Sequence, residues 1–162
     1  MPSPLSLSPL LLLRNVLMGA YRVPVKDIER DSRLLAAMRS AGRNRDVVYQ
    51  GSLRPFEETQ AQVFTSPDPL FAGMFGDAVN VLTHPNLKRL PAFDPYRYDM
   101  DPLYEDVLQL LDEGQQLPRG VGPSTLRALG EARDLGGIRT VPNRETLFLS
   151  VDTGSPLLRV FE

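Results

Sequence analysis

Asp46–Ser52, DVVYQGS, is the stretch on which the reading of this chain turns. Val47, Val48 and Tyr49 favour a strand, and they run straight into Gln50, Gly51 and Ser52. A buried strand would be expected to end on something apolar. This one ends on an amide, a bare backbone and a hydroxyl, which together offer hydrogen bonds and close approach instead of bulk.

The flanking segments supply the other elements. RDSRLLAAMRSAG predicts a helix over 32–41, with Asp31 or Ser32 as cap and Gly42 as stop. RPFEETQAQ is polar and reads as a loop, and VFTS after it as a short strand. SPDPLFAGMFG predicts a helix capped by Ser66, with Pro67 in the first position and Gly76 at the end. Phe71, Met74 and Phe75 then share one face. AVNVLTH is another strand.

DPLYEDVLQLLDEG, Asp101–Gly114, carries the clearest helical pattern, with Asp101 as cap and Leu103, Val107, Leu110 and Leu111 as the buried stripe. PSTLRALGEARDLGG reads as a second good helix, and GIRTV, ETLFLSV and LLRVFE as three strands. Helices interspersed with short strands, and a strand-rich C-terminal end, predict an α+β fold with largely antiparallel or split sheets.

Composition narrows the chemistry. The chain has 162 residues, 42% apolar and 23% charged, which suits one core. With 12 Gly and 15 Pro, turns are many and elements short. A net charge of −2 gives no basic field for a nucleic-acid backbone, which argues against a nucleic-acid partner. No Cys is present, which excludes disulfides, thiolate metal sites and a cysteine nucleophile. A lone histidine, His84, rules out a multi-histidine zinc site; followed by Pro85, it reads as structural. The acidic residues Asp94, Asp99, Asp101 and Glu105 fit no metal-loop spacing, and Asp101 and Glu105 are explained by a helix N-terminus, so no metal is expected.

The first 21 residues are rich in Ser, Pro and Leu, but they lack a basic start, carry Arg14 inside the leucine run and are too short to span a bilayer. Two readings stay open: a tail leading into a short helix that packs on the domain, or an export signal. The division expected is residues 1–45 as tail and helical segment and 46–162 as the main domain.

YQGS at a strand end, VFTS before a helix containing FAGMFG, and RETLFLSV opening a late strand occur in an order that resembles the ADP-ribosyltransferase family, toxin or effector type, over residues 46–162. The resemblance implies a fold of split antiparallel β-sheets flanked by helices. It implies NAD as substrate and a protein acceptor, with an arginine side chain the candidate. It implies a secreted bacterial protein, cytoplasmic before export and then delivered into a target cell.

Residue by residue, Glu145 stands where the family has its catalytic carboxylate, which stabilises the cationic transition state and accepts from the ribose 2′-OH. One such group is worth about 10²–10³ in rate. Gly51 and Ser52 fall on the nicotinamide half and Gln50 on the adenosine side. Phe71 or Phe75 falls against the nicotinamide ring. Thr65 and Ser66 resemble the element that supports the glutamate. Asn143 occupies the target-recognition position, where arginine-modifying members carry Glu or Gln. Gln50 stands where His or Arg is usual, and Arg45 or Arg54 is the nearest substitute charge.

Each residue also has a plainer reading. Glu145 could be a solvated strand-end charge, Gly51–Ser52 a turn, the two phenylalanines core and Ser66 only a cap. On the fold itself, two further functions stay open: a binding module that has lost the chemistry, and an NAD glycohydrolase that uses water as acceptor.

Overall fold

In a computed structural model, residues 9–18, 21–56, 62–94, 113–114, 121–149 and 158–159 are described. The elements run α1 (Pro9–Leu17), β1 (Arg22–Pro24), α2 (Val25–Arg30), α3 (Ser32–Arg43), β2 (Val48–Ser52) and β3 (Gln62–Thr65). Then come α4 (Pro69–Gly73), β4 (Ala78–Thr83), a 3-10 turn (Leu87–Arg89), β5 (Ala92–Phe93), α5 (Pro123–Leu135), β6 (Gly137–Thr140), β7 (Thr146–Leu149) and β8 (Leu158–Arg159).

Two small sheets result, flanked by helices, as an α+β chain would have them. In the first, β4 lies between β2 on one side and β1 and β8 on the other, all antiparallel. The second has the order β3-β7-β6-β5. It departs from the antiparallel expectation at one edge, where β5 pairs β6 in parallel.

Alternation along β2 and β4 explains the layering. Val47, Tyr49, Val79 and Val81 face a core completed by Leu13, Leu17, Ile28, Leu34 and Met38 of the N-terminal helices. Val48 and Leu82, one residue out of phase, join Val63 and Phe148 of the second sheet in another core. The first sheet is thus buried on both faces, which is why AVNVLT of β4 is buried at five of its six positions rather than alternating. Residues 9–45 contribute to this packing through α1, β1, α2 and α3.

The helix ends follow their chemistry. The Asp31 carboxylate accepts from the N–H groups of Arg33 and Leu34, at 3.0 and 3.1 Å, and starts α3 as expected. Gly42 does not stop that helix. It lies inside it, and a Cβ there would stand 2.0 Å from the Pro67 carbonyl oxygen, so this glycine permits contact with the β3–α4 connection. Gly136 closes α5 in the left-handed region, at φ 85°, and donates its N–H to the Ala132 carbonyl.

The strongest helical pattern, 101–114, lies outside the described residues apart from Glu113 and Gly114, and so do Asp99, Asp101 and Glu105. The export-signal reading rests largely on residues 1–8, which also lie outside them; α1 begins at Pro9 and buries Leu13 and Leu17.

Candidate functional site: a pocket where the two sheets part

β2 and β3 meet at a single point. Tyr49 donates its N–H to the Ser66 carbonyl at 2.8 Å, and Ser66 donates its N–H to the Tyr49 carbonyl at 2.9 Å. The next hydrogen-bonded pair in that register would join Gly51 to Phe64. It is not made: β2 stays with β4, β3 stays with β7, and the strands diverge. Hydrogen bonding alternates along a strand. The Gly51 N–H and C=O therefore point the same way as those of Tyr49, away from β4 and into the gap.

The gap is a pocket of about 520 Å³, within the range of small-molecule sites. Seven of the residues singled out in the sequence line it: Gln50, Gly51, Thr65, Ser66, Phe71, Phe75 and Glu145. Tyr49, Phe64 and Ala72 complete the lining. Ser52 and Asn143 are not among the lining residues. Ser52 uses its hydroxyl to accept from the Arg54 N–H at 3.0 Å, and Asn143 is exposed in the turn between β6 and β7.

Glu145 is held by its backbone. Its N–H donates to the Thr140 hydroxyl at 3.1 Å and its carbonyl accepts from the Thr140 N–H at 3.0 Å. One residue on, the Thr146 carbonyl accepts from the buried Thr65 hydroxyl at 2.8 Å. Strand pairing and two threonine hydroxyls thus fix the backbone from which this carboxylate projects. Among the described lining residues, Glu145 is the one charged side chain.

Ser66 is not the cap of the following helix. Asp68 is: its carboxylate accepts from the Leu70 N–H at 3.0 Å, with Pro69 in the first position. Ser66 instead closes the bridge to Tyr49, is 1% exposed, and accepts from the Asp68 N–H with its hydroxyl at 3.1 Å. The sequence SPDP contains two Ser/Asp-Pro steps that both satisfy the capping rule. The strand bridge decides between them.

Helix α4 lies against β2 so closely that glycine is required. A Cβ on Gly51 would stand 1.7 Å from the Ala72 carbonyl oxygen, and one on Gly76 would stand 2.4 Å from the Ser52 nitrogen. The bare face of Gly51 is therefore occupied by α4, and only its backbone edge is available to the pocket. This close packing brings Phe71 and Phe75 to the rim, edge to face at 5.9 Å between centroids. Phe75 is 65% exposed and Phe64, opposite on β3, is 47% exposed. Phe64 escaped the sequence reading. Its signal was an aromatic on the outward phase of a strand whose neighbours Val63 and Thr65 are buried.

Gln50 belongs to a polar row that crosses the first sheet. In the strand register Arg22, Asn80 and Gln50 are side by side. The Arg22 Nη1 donates to Asn80 Oδ1 at 3.1 Å, and Asn80 Nδ2 donates to Gln50 Oε1 at 3.1 Å. Arg22 also donates to the carbonyls of Arg54 and Ser52, at 2.6 and 3.0 Å, and is 3.5 Å from Asp77. Arg45 donates to the Lys88 carbonyl, and neither it nor Arg54 is among the lining residues. The cation nearest Gln50 through hydrogen bonds is thus Arg22, which no local pattern around RVP singles out.

Two other titratable groups are structural. Tyr49 donates its hydroxyl to the Met38 carbonyl at 2.7 Å. Its burial, then the Asp46 and Asp68 carboxylates, push the phenol well above its ordinary value. His84 is buried against Phe148, ring centroids 4.9 Å apart, and its Nδ1 accepts from the Asn86 N–H. Among the described residues no group of three or more His, Asp or Glu side chains could hold a metal ion, and no helix is long and apolar enough to cross a membrane.

No family model matches the chain, and neither does any curated protein or solved structure.

Proposed function

We propose that the chain is a mono-ADP-ribosyltransferase-like protein, on an ADP-ribosyltransferase-like arrangement of split sheets, that takes NAD in the pocket between β2 and β3. One observation carries the reading: a backbone-held carboxylate, Glu145, lines the same strand gap as the outward-facing N–H and C=O of Gly51. A nicotinamide carboxamide needs one acceptor and one donor, which the Gly51 edge offers, and the rim aromatics Phe71, Phe75 and Phe64 suit a planar ring.

In the proposed reaction the bond between the ribose C1′ and the nicotinamide nitrogen breaks, and its electron pair leaves with nicotinamide. Glu145 stabilises the positive charge left on the sugar and accepts from the 2′-OH. A nucleophile of the acceptor protein then bonds to C1′ and loses its proton. Thr65 and Thr140 keep the backbone around the carboxylate in place. Asn143, exposed in the turn that leads to Glu145, is where an acceptor side chain such as arginine would be met. A secreted bacterial effector or toxin is the setting that this activity suggests.

The test is labelled NAD with candidate acceptor proteins, read as protein labelling and as nicotinamide release. Wild type is expected to do both, and Glu145→Gln to lose about 10²–10³ in rate. Equal labelling and equal release by both proteins would overturn the assignment. Gln50, where His or Arg is usual, and Asn143, where Glu or Gln is usual, favour a second reading, a binding module that kept the fold and lost the chemistry. Calorimetric binding with no nicotinamide release, to water or to protein, would establish that reading instead; release without labelling would indicate a glycohydrolase.

A further inference from the structure

We propose that Arg45 and Arg139, moored on the carbonyls of the Lys88–Leu90 turn, form a second binding site, for a doubly charged tetrahedral oxyanion of the phosphate class. Neither arginine lines the pocket, so this site is independent of the NAD reading.

Arg45 occupies a backbone position that favours glycine. Where α3 ends, the Arg45 N–H donates to the Gly42 carbonyl and the Asp46 N–H to the Ala41 carbonyl, both at 3.0 Å. This paired turn puts Arg45 in the left-handed region, at φ 57°, where glycine is the usual residue and an arginine costs backbone strain. Among the described contacts its guanidinium bonds the Lys88 carbonyl, at 3.2 Å, and not the last carbonyls of its own helix.

Arg139 reaches the same turn from β6. Its Nε donates to the Leu90 carbonyl at 3.0 Å. Burial, then the Arg45 charge, push this guanidinium below its ordinary value, the mark of two like charges held near each other. The carboxylate next in the chain, Asp46, lies 3.0 Å from the Lys88 ammonium. Lys88 thereby takes up the negative charge that would otherwise neutralise an arginine. Arg89, exposed in the same turn, adds a further positive charge.

Donor number selects the ligand. A guanidinium has five N–H donors, and each arginine spends one on a carbonyl. Arg139 keeps its Nη1–Nη2 end and Arg45 its Nε–Nη2 edge, and each is a fork for two oxygens. A carboxylate has one charge and two oxygens, which a single fork satisfies. A phosphate dianion has charge and oxygens for both.

An NMR titration with inorganic phosphate at constant ionic strength, followed on the arginine Nε–H resonances, tests this. Wild type is expected to saturate with a Kd of about 1 mM, and Arg45→Gly and Arg139→Gln to bind about 10-fold more weakly or worse. Arg45→Gly supplies the residue that the turn favours, so its ligand-free melting temperature should hold or rise while affinity is lost. That variant decides alone if Arg139→Gln does not fold. Phenyl phosphate, as a second probe, tells the source of the group. Affinity equal to that of phosphate marks a site for a phosphorylated ligand, and binding of the free ion alone marks an ion site; both support the proposal. No saturation of wild type by about 20 mM phosphate, unchanged affinity in Arg45→Gly, or a lower melting temperature of that variant overturns it.

Discussion

The Thr65 hydroxyl donates to the Thr146 carbonyl across the β3–β7 pair at 2.8 Å, with both residues buried. This bond is made one residue beyond Glu145 and ties the carboxylate's strand to the strand that forms the seam with β2. Thr65→Val keeps the shape and removes the donor, leaving a buried carbonyl short of a partner. The expected cost is about 1–3 kcal/mol, measured as a lower urea midpoint with unchanged slope.

Gly51→Ala is expected to destabilise by about 1–3 kcal/mol, because the new methyl meets the Ala72 carbonyl in a segment with little room to move. Thermal unfolding measures it. Gly122→Ala is the control: open space surrounds that position, and φ there is −89°.

Tyr49 gives a pH signature. Its phenol titrates higher in the folded protein than in the unfolded chain, so the neutral form is favoured by folding. That contribution is complete below the unfolded value of about 10 and is lost as pH rises through the folded value. The unfolded chain binds fewer protons in that window, so stability falls with rising pH, with a limiting slope of about 1.4 kcal/mol per unit for this one group. Urea titrations from pH 8 to 11 should show the fall in wild type and a shallower one in Tyr49→Phe.

Phe75→Ala separates stability from binding. The side chain is largely exposed, so the melting temperature should move little. If the rim aromatics stack on a planar ring, the affinity for nicotinamide or NAD should fall by about 3–10-fold. Unchanged affinity would remove Phe75 from the site.

Much of the frame was legible because it is written locally. The Asp31 cap, the helix in PSTLRALGEARDL and the strand in AVNVLT each carry their cause within a few residues. The ordered segments YQGS, VFTS and RETLFL do come together around one pocket. What stayed hidden is non-local. Gly42 looked like a stop because glycines often are; its reason is a carbonyl 25 residues away in sequence. Gly51 looked open to a ligand, yet α4 covers its bare face. Arg22 stands on a three-residue strand that exists only because β4 is there to pair with it. No pattern within RVP could announce that, or show that its guanidinium would meet an amide 58 residues further along.

The lone Tyr49–Ser66 bridge has a consequence for what kind of site this is. Most pockets are hollows left between side chains. This one is an interruption in strand pairing, a place where a continuous sheet would run if one more rung were added. A flat amide entering beside Gly51 would take hydrogen bonds that a neighbouring strand would otherwise supply, and would act as the missing rung. Ligand and strand compete for the same edge, so a small molecule that binds there would also keep the two sheets from zipping shut.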